Sequence, residues 1–293
     1  MKISIDSNSG CCHGVKRAIE GANHYLETND VLFSLGAIVH NNSELSRLSS
    51  LGLEIVDLEG AKKLNGSTLL IRAHGEPPST YNTAQEHNIT LIDYTCPVVL
   101  QLQRKIKKTY LTHLQDGGQV IIYGKATHAE VIGLMGQIEE NGIVIEKIAD
   151  VLTKLEQKII DPTRPIFVFS QTTKESDEYQ QICNLLVKEA KNKIIIHDTI
   201  CKEVKNRQSF LKEFAKANSI IIFIGGKESS NGKVLYNLCK SVNPNSHFIE
   251  KPEEIQANWF TTNDNVGICG ATSTPEWQLE KVFSYICNLN IKH

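Results

Sequence analysis

The chain of 293 residues has a formal net charge of −2, with 41% apolar and 22% charged residues. This length exceeds the usual size of one domain, and the slightly acidic balance argues against a general nucleic-acid binder, which usually carries a basic excess. No segment approaches the roughly 20 apolar residues that span a bilayer, and the N-terminus lacks the apolar core of a signal peptide, so we expect a cytoplasmic protein without a membrane partner.

Short apolar runs rich in Ile and Val recur along the chain, each followed by polar residues and then by a helical pattern. Near-continuous apolarity is typical of strands that are covered on both faces, as in parallel sheets. The predicted fold class is therefore α/β with mainly parallel sheets. In chain order the runs are 31–39, 67–73, 89–95, 120–124, 165–170, 193–199, 219–225 and 265–270.

Helical periodicity directly follows three cysteines. Apolar stripes begin after Cys12, after Cys96 and after Cys201. Pro97 occupies a first-turn position, which a helix tolerates. The three cysteines are thus predicted to lie between a strand end and a helix start.

A weak internal repeat supports a division into similar modules. The pattern Asp-x-x-Cys, between an apolar run and a helix, occurs at residues 93–96 and again at 198–201. No linker rich in Pro or Ser marks a boundary. We expect three α/β subdomains, over residues 1–95, 96–195 and 196–293.

The eight cysteines include no CxxC pair, and a reducing compartment disfavours disulfides. A single cysteine is usually a small buried hydrophobic residue. However, Cys12, Cys96 and Cys201 share one structural position, where the helix dipole favours a thiolate. Cys11 is an ambiguous alternative to Cys12. The remaining cysteines are expected in the core: Cys183, Cys239, Cys269 and Cys287.

Three thiolates of this kind favour zinc or an iron–sulfur cluster. A cubane cluster usually takes four cysteines, one for each iron. A site with three cysteines would leave one iron free to bind a substrate, which is a catalytic arrangement.

Polar side chains follow most of the predicted strands. Ligands of open parallel sheets bind beyond the carboxyl ends of the strands, where helix N-termini favour anions. The histidines and hydroxyls suit a phosphate ester, although Ser and Asn also cap helices routinely. Glu130 is either a simple dipole partner or a proton relay with Thr172 as a hydroxyl bridge. The candidates for anion binding are His40, His74, His128, Thr172, Ser229, Ser230, Asn231 and Ser273.

The order and spacing of these motifs closely resemble the 4-hydroxy-3-methylbut-2-enyl diphosphate reductase family, which completes the methylerythritol phosphate route to isoprenoids. The resemblance runs from residue 1 to about residue 280. The motifs that carry it are GCCHGV (10–15), VHN (39–41), AHG (73–75), DYTCP (93–97), HAEV (128–131), QTT (171–173), IC (200–201) with NRQ (206–208), SSN (229–231) and ATSTP (271–275).

The resemblance implies three α/β subdomains around a central [4Fe–4S] cluster bound by Cys12, Cys96 and Cys201. It implies reductive removal of the hydroxyl group from (E)-4-hydroxy-3-methylbut-2-enyl diphosphate, giving isopentenyl and dimethylallyl diphosphate. Glu130 and Thr172 would supply the proton, and a reduced flavodoxin or ferredoxin-type protein would supply electrons. The eight candidates above would bind the substrate.

Some positions depart from the family pattern. Cys11 and His13 replace an aromatic and a small residue, which puts local packing and redox tuning in question. Lys202, Glu203 and Val204 follow the third cysteine where small and hydroxylated residues are common, so a minor substrate contact is in question.

Two other functions fit the same residues. A zinc-dependent hydrolase of phosphorylated metabolites could use the three cysteines, and it would be colourless. A non-enzymatic iron–sulfur sensor or anion-binding module would need no proton donor, which makes Glu130 and Thr172 the discriminating residues.

Overall fold

A computed structural model of the chain describes residues 1–289. Within this range the strands are β1 Lys2–Ile5, β2 Leu32–Leu35, β3 Leu53–Val56, β4 Thr68–Ile71, β5 Thr90–Asp93, β6 Gln119–Tyr123, β7 Gly142–Ile145, β8 Ile166–Ser170, β9 Ile194–Ile196, β10 Ile220–Ile224, β11 Ser246–Ile249 and β12 Asn265–Gly270. The α-helices are α1 His13–Leu26, α2 Asn42–Ser50, α3 Leu58–Ala61, α4 Pro78–Glu86, α5 Pro97–His113, α6 Ala129–Gly136, α7 Ile148–Glu156, α8 Ser176–Glu189, α9 Lys202–Ala217, α10 Ser230–Val242 and α11 Glu276–Cys287. Short 3-10 helices cover Pro252–Glu254 and Ala257–Trp259.

The chain forms two compact units. The first unit combines Met1–Val56 with the chain from Lys202 onward, and the second unit is Asp57–Cys201. In the first unit a parallel sheet has the order β1-β12-β10-β11, and β2 pairs in parallel with β3. In the second unit a parallel sheet has the order β7-β6-β8-β9, and β4 pairs in parallel with β5.

These pairings confirm the predicted fold class. The described residues form α/β subdomains with three parallel sheets of four strands each. The boundaries expected near residues 95 and 196 stay a prediction.

Each of the eight apolar runs overlaps a strand, and the four strands that the runs did not predict lie at edges. The central strands β6, β8 and β10 each have two neighbours, and every residue in them is buried. By contrast, β1, β3, β7 and β11 each pair with one strand in their own unit and are partly exposed. A strand that is covered on fewer sides needs no continuous apolar run, so its sequence signal is weaker.

Helices cover both faces of the sheet in the second unit. Val120 and Ile122 of β6 point into one apolar cluster, whereas Ile121 and Tyr123 point into another. This alternation follows the two-residue period of a strand. Both clusters consist of buried side chains that pack on the two faces of the sheet. This packing holds the strands in place, including their carboxyl ends. None of the helices within residues 1–289 combines the length and apolar character that crossing a bilayer requires.

Candidate active site

Each of the three predicted cysteine ligands lies at a helix start. Cys12 is the N-cap residue of α1, Cys96 is the N-cap residue of α5, and Cys201 directly precedes α9. All three side chains are partly exposed. The expected position between strand end and helix start is therefore confirmed for all three.

The same type of backbone hydrogen bond is found at each of the three cysteines. In each case the cysteine N–H donates to a carbonyl in the loop that follows a neighbouring parallel strand. The repeat found in the sequence thus has a structural counterpart. The bonds are Cys12 to Thr272 at 3.1 Å, Cys96 to Ala73 at 3.0 Å and Cys201 to Thr172 at 2.9 Å.

The electrostatic surroundings of Cys96 show which groups the second unit brings close to it. Burial is the main cause that raises the pKa of the Cys96 thiol, and the N–H groups of Val98 and Val99 lower that pKa. Charges on Cys201 and Glu130 raise it further. The expected helix-start effect is present, but desolvation outweighs it.

Cys11 differs from its neighbour. Burial raises the pKa of the Cys11 thiol to about 12, with further contributions from Cys12 and Glu44. Cys12, not Cys11, is the N-cap residue of α1 and occupies the helix-start position that Cys96 shares, so Cys12 stays the better candidate ligand. The preceding Gly10 adopts φ +121°, and its carbonyl accepts a 3.0 Å bond from the buried Arg207 guanidinium.

The other cysteines separate into core and surface. Cys183, Cys239 and Cys269 are buried, as the sequence predicted. The prediction for Cys287 is wrong, because this residue ends α11 and is exposed. It lies at the C-terminal end of the helix, after Val282 and Ile286, which face the core.

Glu130 and Thr172 form a buried pair in the second unit. The Glu130 side chain follows the N-cap of α6 and is 1% exposed. Its Oε1 accepts the Thr172 N–H at 2.7 Å, and its Oε2 accepts the Thr172 hydroxyl at 2.8 Å. Burial raises the pKa of Glu130 to about 7, although both bonds from Thr172 lower it. A carboxyl group in this state can hold or release a proton at neutral pH.

His74 and His128 lie beside this pair. Their ring centroids are 5.2 Å apart in an edge-to-face arrangement. The Nδ1 of His128 accepts the N–H of Glu130 at 3.2 Å, so the neutral ring carries its proton on Nε2. After His74 the chain turns at Gly75, which adopts φ +72° and packs against Gln103.

Neutral donors collect at the start of α10 in the first unit. Ser229 is the N-cap residue, and its hydroxyl oxygen accepts the Gly232 N–H at 3.1 Å. The Ser273 hydroxyl donates to the same oxygen at 3.3 Å. Ser230 is the first residue of the helix and is half-buried. A helix start with several hydroxyl groups is suited to an anion.

Asn231 carries a donor that the surrounding protein leaves unused. Its Oδ1 accepts both the N–H and the hydroxyl of Thr272, at 3.2 and 2.8 Å. Its Nδ2 is buried and has no hydrogen-bond partner among residues 1–289. Because the carbonyl end is fixed, the amide must direct its N–H groups toward the other side. A buried amide in this state indicates a missing acceptor.

The loop with His40 is held by contacts that the sequence did not reveal. Asn41 caps α2, and its Nδ2 donates to the Ser273 carbonyl at 3.2 Å and to Gln278 Oε1 at 2.7 Å. A Cβ atom at Gly226 would lie 2.2 Å from the His40 carbonyl oxygen, so only glycine fits there. The glycine pair after strand β10 was a usable signal for this close approach, but nothing near Gln278 indicated its role.

The fold and these side chains define a parallel α/β protein with partly exposed thiols and clustered hydrogen-bond donors beyond its strand ends. A family model described as LytB protein matches residues 3–287. The chain belongs to the LytB protein family.

Three relatives illustrate the similarity. A 4-hydroxy-3-methylbut-2-enyl diphosphate reductase from Porphyromonas gingivalis is 47% identical over 290 residues, which is 98% of each chain. A protein of the same name from Bacteroides fragilis is 44% identical over 284 residues, which is 96% of each chain. A solved structure of (E)-4-hydroxy-3-methyl-but-2-enyl diphosphate reductase, the terminal enzyme of the non-mevalonate pathway, is 32% identical with a TM-score of 0.72, covering 98% of this chain and 99% of the other. The family that the motifs resemble is thereby confirmed, and with it the enzyme class, a reductase.

Proposed function

We propose that this chain reductively removes the hydroxyl group of (E)-4-hydroxy-3-methylbut-2-enyl diphosphate to give isopentenyl and dimethylallyl diphosphate, the last step of the methylerythritol phosphate pathway. The names of relatives that match the chain along nearly its whole length support this reaction. The observation that carries the proposal is the direct connection between Glu130, Thr172 and Cys201. Thr172 donates twice to the Glu130 carboxylate, and its carbonyl accepts the Cys201 N–H.

The proposed cofactor is a [4Fe–4S] cluster bound by Cys12, Cys96 and Cys201. Each thiol is partly exposed at a helix start, and the Cys96 sulfur already accepts two backbone N–H groups, as iron–sulfur ligands commonly do. These residues fit the cofactor in chemistry and in local backbone support. When bound, a cluster with three cysteine ligands supplies the electrons and one open iron that acts as a Lewis acid.

The diphosphate would be held by neutral donors. The Nε2–H of His128 and the unused amide of Asn231 are suited to phosphate oxygens. Both groups donate hydrogen bonds while they are uncharged. Binding energy at this remote group would orient the reacting hydroxyl group. The proposed substrate-binding residues are His40, His74, His128, Thr172, Ser229, Ser230, Asn231 and Ser273.

The proton would come from Glu130. Because burial raises its pKa to about 7, the carboxyl group can carry a proton at neutral pH. Thr172 bonds to both carboxylate oxygens through its N–H and its hydroxyl, which fixes the carboxyl plane. Its hydroxyl can pass the proton of Glu130 to the leaving hydroxyl group, so that water departs.

Electrons would come from a reduced flavodoxin or ferredoxin-type protein. The cytoplasm stays the predicted location.

The proposal is tested by anaerobic purification, iron and sulfide analysis, and turnover with the named substrate and dithionite. We expect four irons and four sulfides per chain, an absorption change on adding substrate, and both isoprenoid diphosphates as products. A colourless protein that contains zinc, or an iron–sulfur protein without turnover, would contradict the proposal.

A further inference from the structure

We propose that the exposed face of α5, from Val98 to Lys108, is the docking surface for an acidic electron-carrier protein. This inference rests on the proposed function, because that reaction needs electrons from outside the chain. The surface contains Val98, Gln101, Arg104, Lys105 and Lys108, and we call it the α5 face. All five side chains are exposed.

Charge is the first observation. Helix α5 carries four of the 31 basic residues of the chain and none of its 33 acidic residues, although the chain as a whole is slightly acidic. Within residues 1–289, no acidic side chain forms an ion pair with Arg104, Lys105, Lys107 or Lys108. An unneutralised basic face attracts an acidic partner and can raise the association rate by about 10- to 10³-fold.

Helix periodicity places these charges on one side. The buried side of α5 contains Val99, Leu102, Ile106 and Tyr110, which pack in the core of the second unit. Residues 98, 101, 105 and 108 follow one another at spacings of three or four and therefore line the opposite side. At 1.5 Å per residue, the stripe is about 15 Å long. A stripe of this length is small, and weak electron-transfer complexes use small interfaces.

The connection to Cys96 is the second observation. Val98 is 39% exposed, and its backbone N–H bonds to the Cys96 thiol. The stripe therefore begins one hydrogen bond away from a proposed cluster ligand and extends outward from it. The exposed apolar side chain at this end can form a contact with the carrier that excludes water. The lysines beyond it can orient the carrier by charge.

The neighbouring loop after β9 extends the surface. Burial lowers the pKa of His197, and the nearby charge of Lys105 lowers it further. Both causes favour the neutral form of the His197 ring. Ile196 beside it is 40% exposed. The basic stripe thus has a second apolar contact at its side.

Helix α9, which follows Cys201, does not have a basic face that is free of acidic residues. It mixes its lysines with Glu203 and Glu213, and Lys216 forms an ion pair with Glu213 at 2.9 Å. Its exposed Lys212 and Lys216 are four residues apart. They provide a control for charge reversal on a second helix that follows a proposed ligand, and reversing Lys216 also removes its ion pair with Glu213.

The test compares the holoenzyme carrying Lys105→Glu and Lys108→Glu with a control carrying Lys212→Glu and Lys216→Glu. The probe is a plant-type [2Fe–2S] ferredoxin. Its affinity in the oxidised form is measured by titration, and the rate of cluster reduction by the reduced form is measured by stopped flow. In the α5 variant we expect both to fall by about 10-fold or more at low ionic strength. The difference should shrink in high salt, because screening removes it.

Dithionite needs no docking surface, so turnover with dithionite should remain within about twofold in both variants. Equal ferredoxin rates in the α5 variant and the control would overturn the proposal, as would a parallel loss with both reductants. If the unmodified chain fails to turn over with dithionite, the proposed function fails instead, and the titration with oxidised ferredoxin still decides whether the α5 face binds a carrier.

Discussion

The two units place different chemistry beyond their strand ends. The second unit brings together groups that gain or lose protons, namely Cys96, Cys201 and Glu130, and it shifts the pKa of Cys96 and Glu130. The anion candidates around α10 in the first unit are neutral hydroxyl and amide donors, such as Ser229 and Asn231, fixed by further hydrogen bonds. The proposed proton donor and two of the three proposed cluster ligands therefore lie in a different unit from most of the proposed anion-binding donors.

This difference has a physical reason. A carboxyl group carries a proton at neutral pH only if its surroundings raise its pKa, and full burial of Glu130 does so at the expense of stability. A neutral donor needs no such shift, because its proton is present at every ordinary pH. Variants of Glu130 should therefore change rates and pH profiles, whereas variants around α10 should change affinity.

The largest expected effect is the loss of the cluster in Cys96→Ser. A hydroxyl group is a poor iron ligand in place of a thiolate, so the chain should lose iron, visible absorption and turnover together. Iron analysis and the anaerobic spectrum measure this. The control is Cys287→Ser on the exposed end of α11, which should retain the full cluster. A Cys96→Ser protein with full iron content and turnover would show that Cys96 is not a ligand.

Glu130→Gln should have the next largest effect. The amide keeps the size of the side chain but cannot supply a proton, so turnover should fall by about 10²- to 10⁴-fold. The spectrum and the affinity for pyrophosphate should remain, and Glu156→Gln on the exposed end of α7 should be unaffected. In the unmodified enzyme, turnover should decrease as the pH rises above about 7, because Glu130 is then deprotonated. Normal turnover in Glu130→Gln would contradict the proton role.

Glu130 should also make stability depend on pH. Its pKa rises from 4.5 to about 7 on folding, so its contribution is fully present below pH 4.5 and is lost as the pH rises through 7. The free energy of unfolding should fall by on the order of 3 kcal/mol over this range on account of this one group. Denaturant unfolding at pH 5 and pH 8 measures the loss. Glu130→Gln should reduce it, and an identical loss in both proteins would refute the burial argument.

The sequence predicted every central strand and two of the six edge strands, and it missed the other four because an edge strand need not be apolar on both faces. The run 219–225 contains β10, which has two parallel neighbours and is fully buried. The strand β11 beside it contains Ser246 and His247, and its residues do not form an apolar run. Its place depends on pairing with β10, which no local pattern reveals.

Site residues that lie at strand ends could be predicted from the sequence. The hydrogen bonds from distant segments that hold such residues could not be predicted. Cys96 and Glu130 follow predicted strands closely, so their position could be inferred. The bond between Asn41 and Gln278 joins residues 237 positions apart, and a polar residue on an ordinary helix gives no warning of it. The shift in the pKa of Glu130 also required knowledge of its complete burial.

Asn231→Asp tests whether the neutral donors around α10 bind an anion. The carboxylate can still accept the two bonds from Thr272, but it replaces the unused amide donor with a negative charge. Affinity for pyrophosphate should fall by about 10- to 100-fold, since one charge-assisted bond is worth roughly 1.5–3 kcal/mol. Calorimetric titration with pyrophosphate measures this. Asn245→Asp in an exposed turn is the control, and equal affinity in both variants would remove Asn231 from the anion site.

The smallest expected effect concerns Asn41→Asp, which acts only through its neighbours. The aspartate can still cap α2 by accepting the Glu44 N–H, which Asn41 Oδ1 accepts at 3.1 Å. It loses both amide bonds, to the Ser273 carbonyl and to Gln278. The loops that carry His40 and Ser273 should then be less firmly fixed.

We expect Asn41→Asp to weaken pyrophosphate binding by about three- to tenfold, which corresponds to one neutral hydrogen bond of about 1 kcal/mol. KM for the substrate should rise while kcat and its pH profile stay unchanged, because Glu130 belongs to the other unit. The matched control is Asp57→Asn, at the exposed N-cap of α3, where the side chain accepts the Gly60 N–H at 2.7 Å. A fall in kcat without a change in KM would mean that Asn41 supports the reacting groups rather than the anion site, and the division between the two units would then fail at this residue.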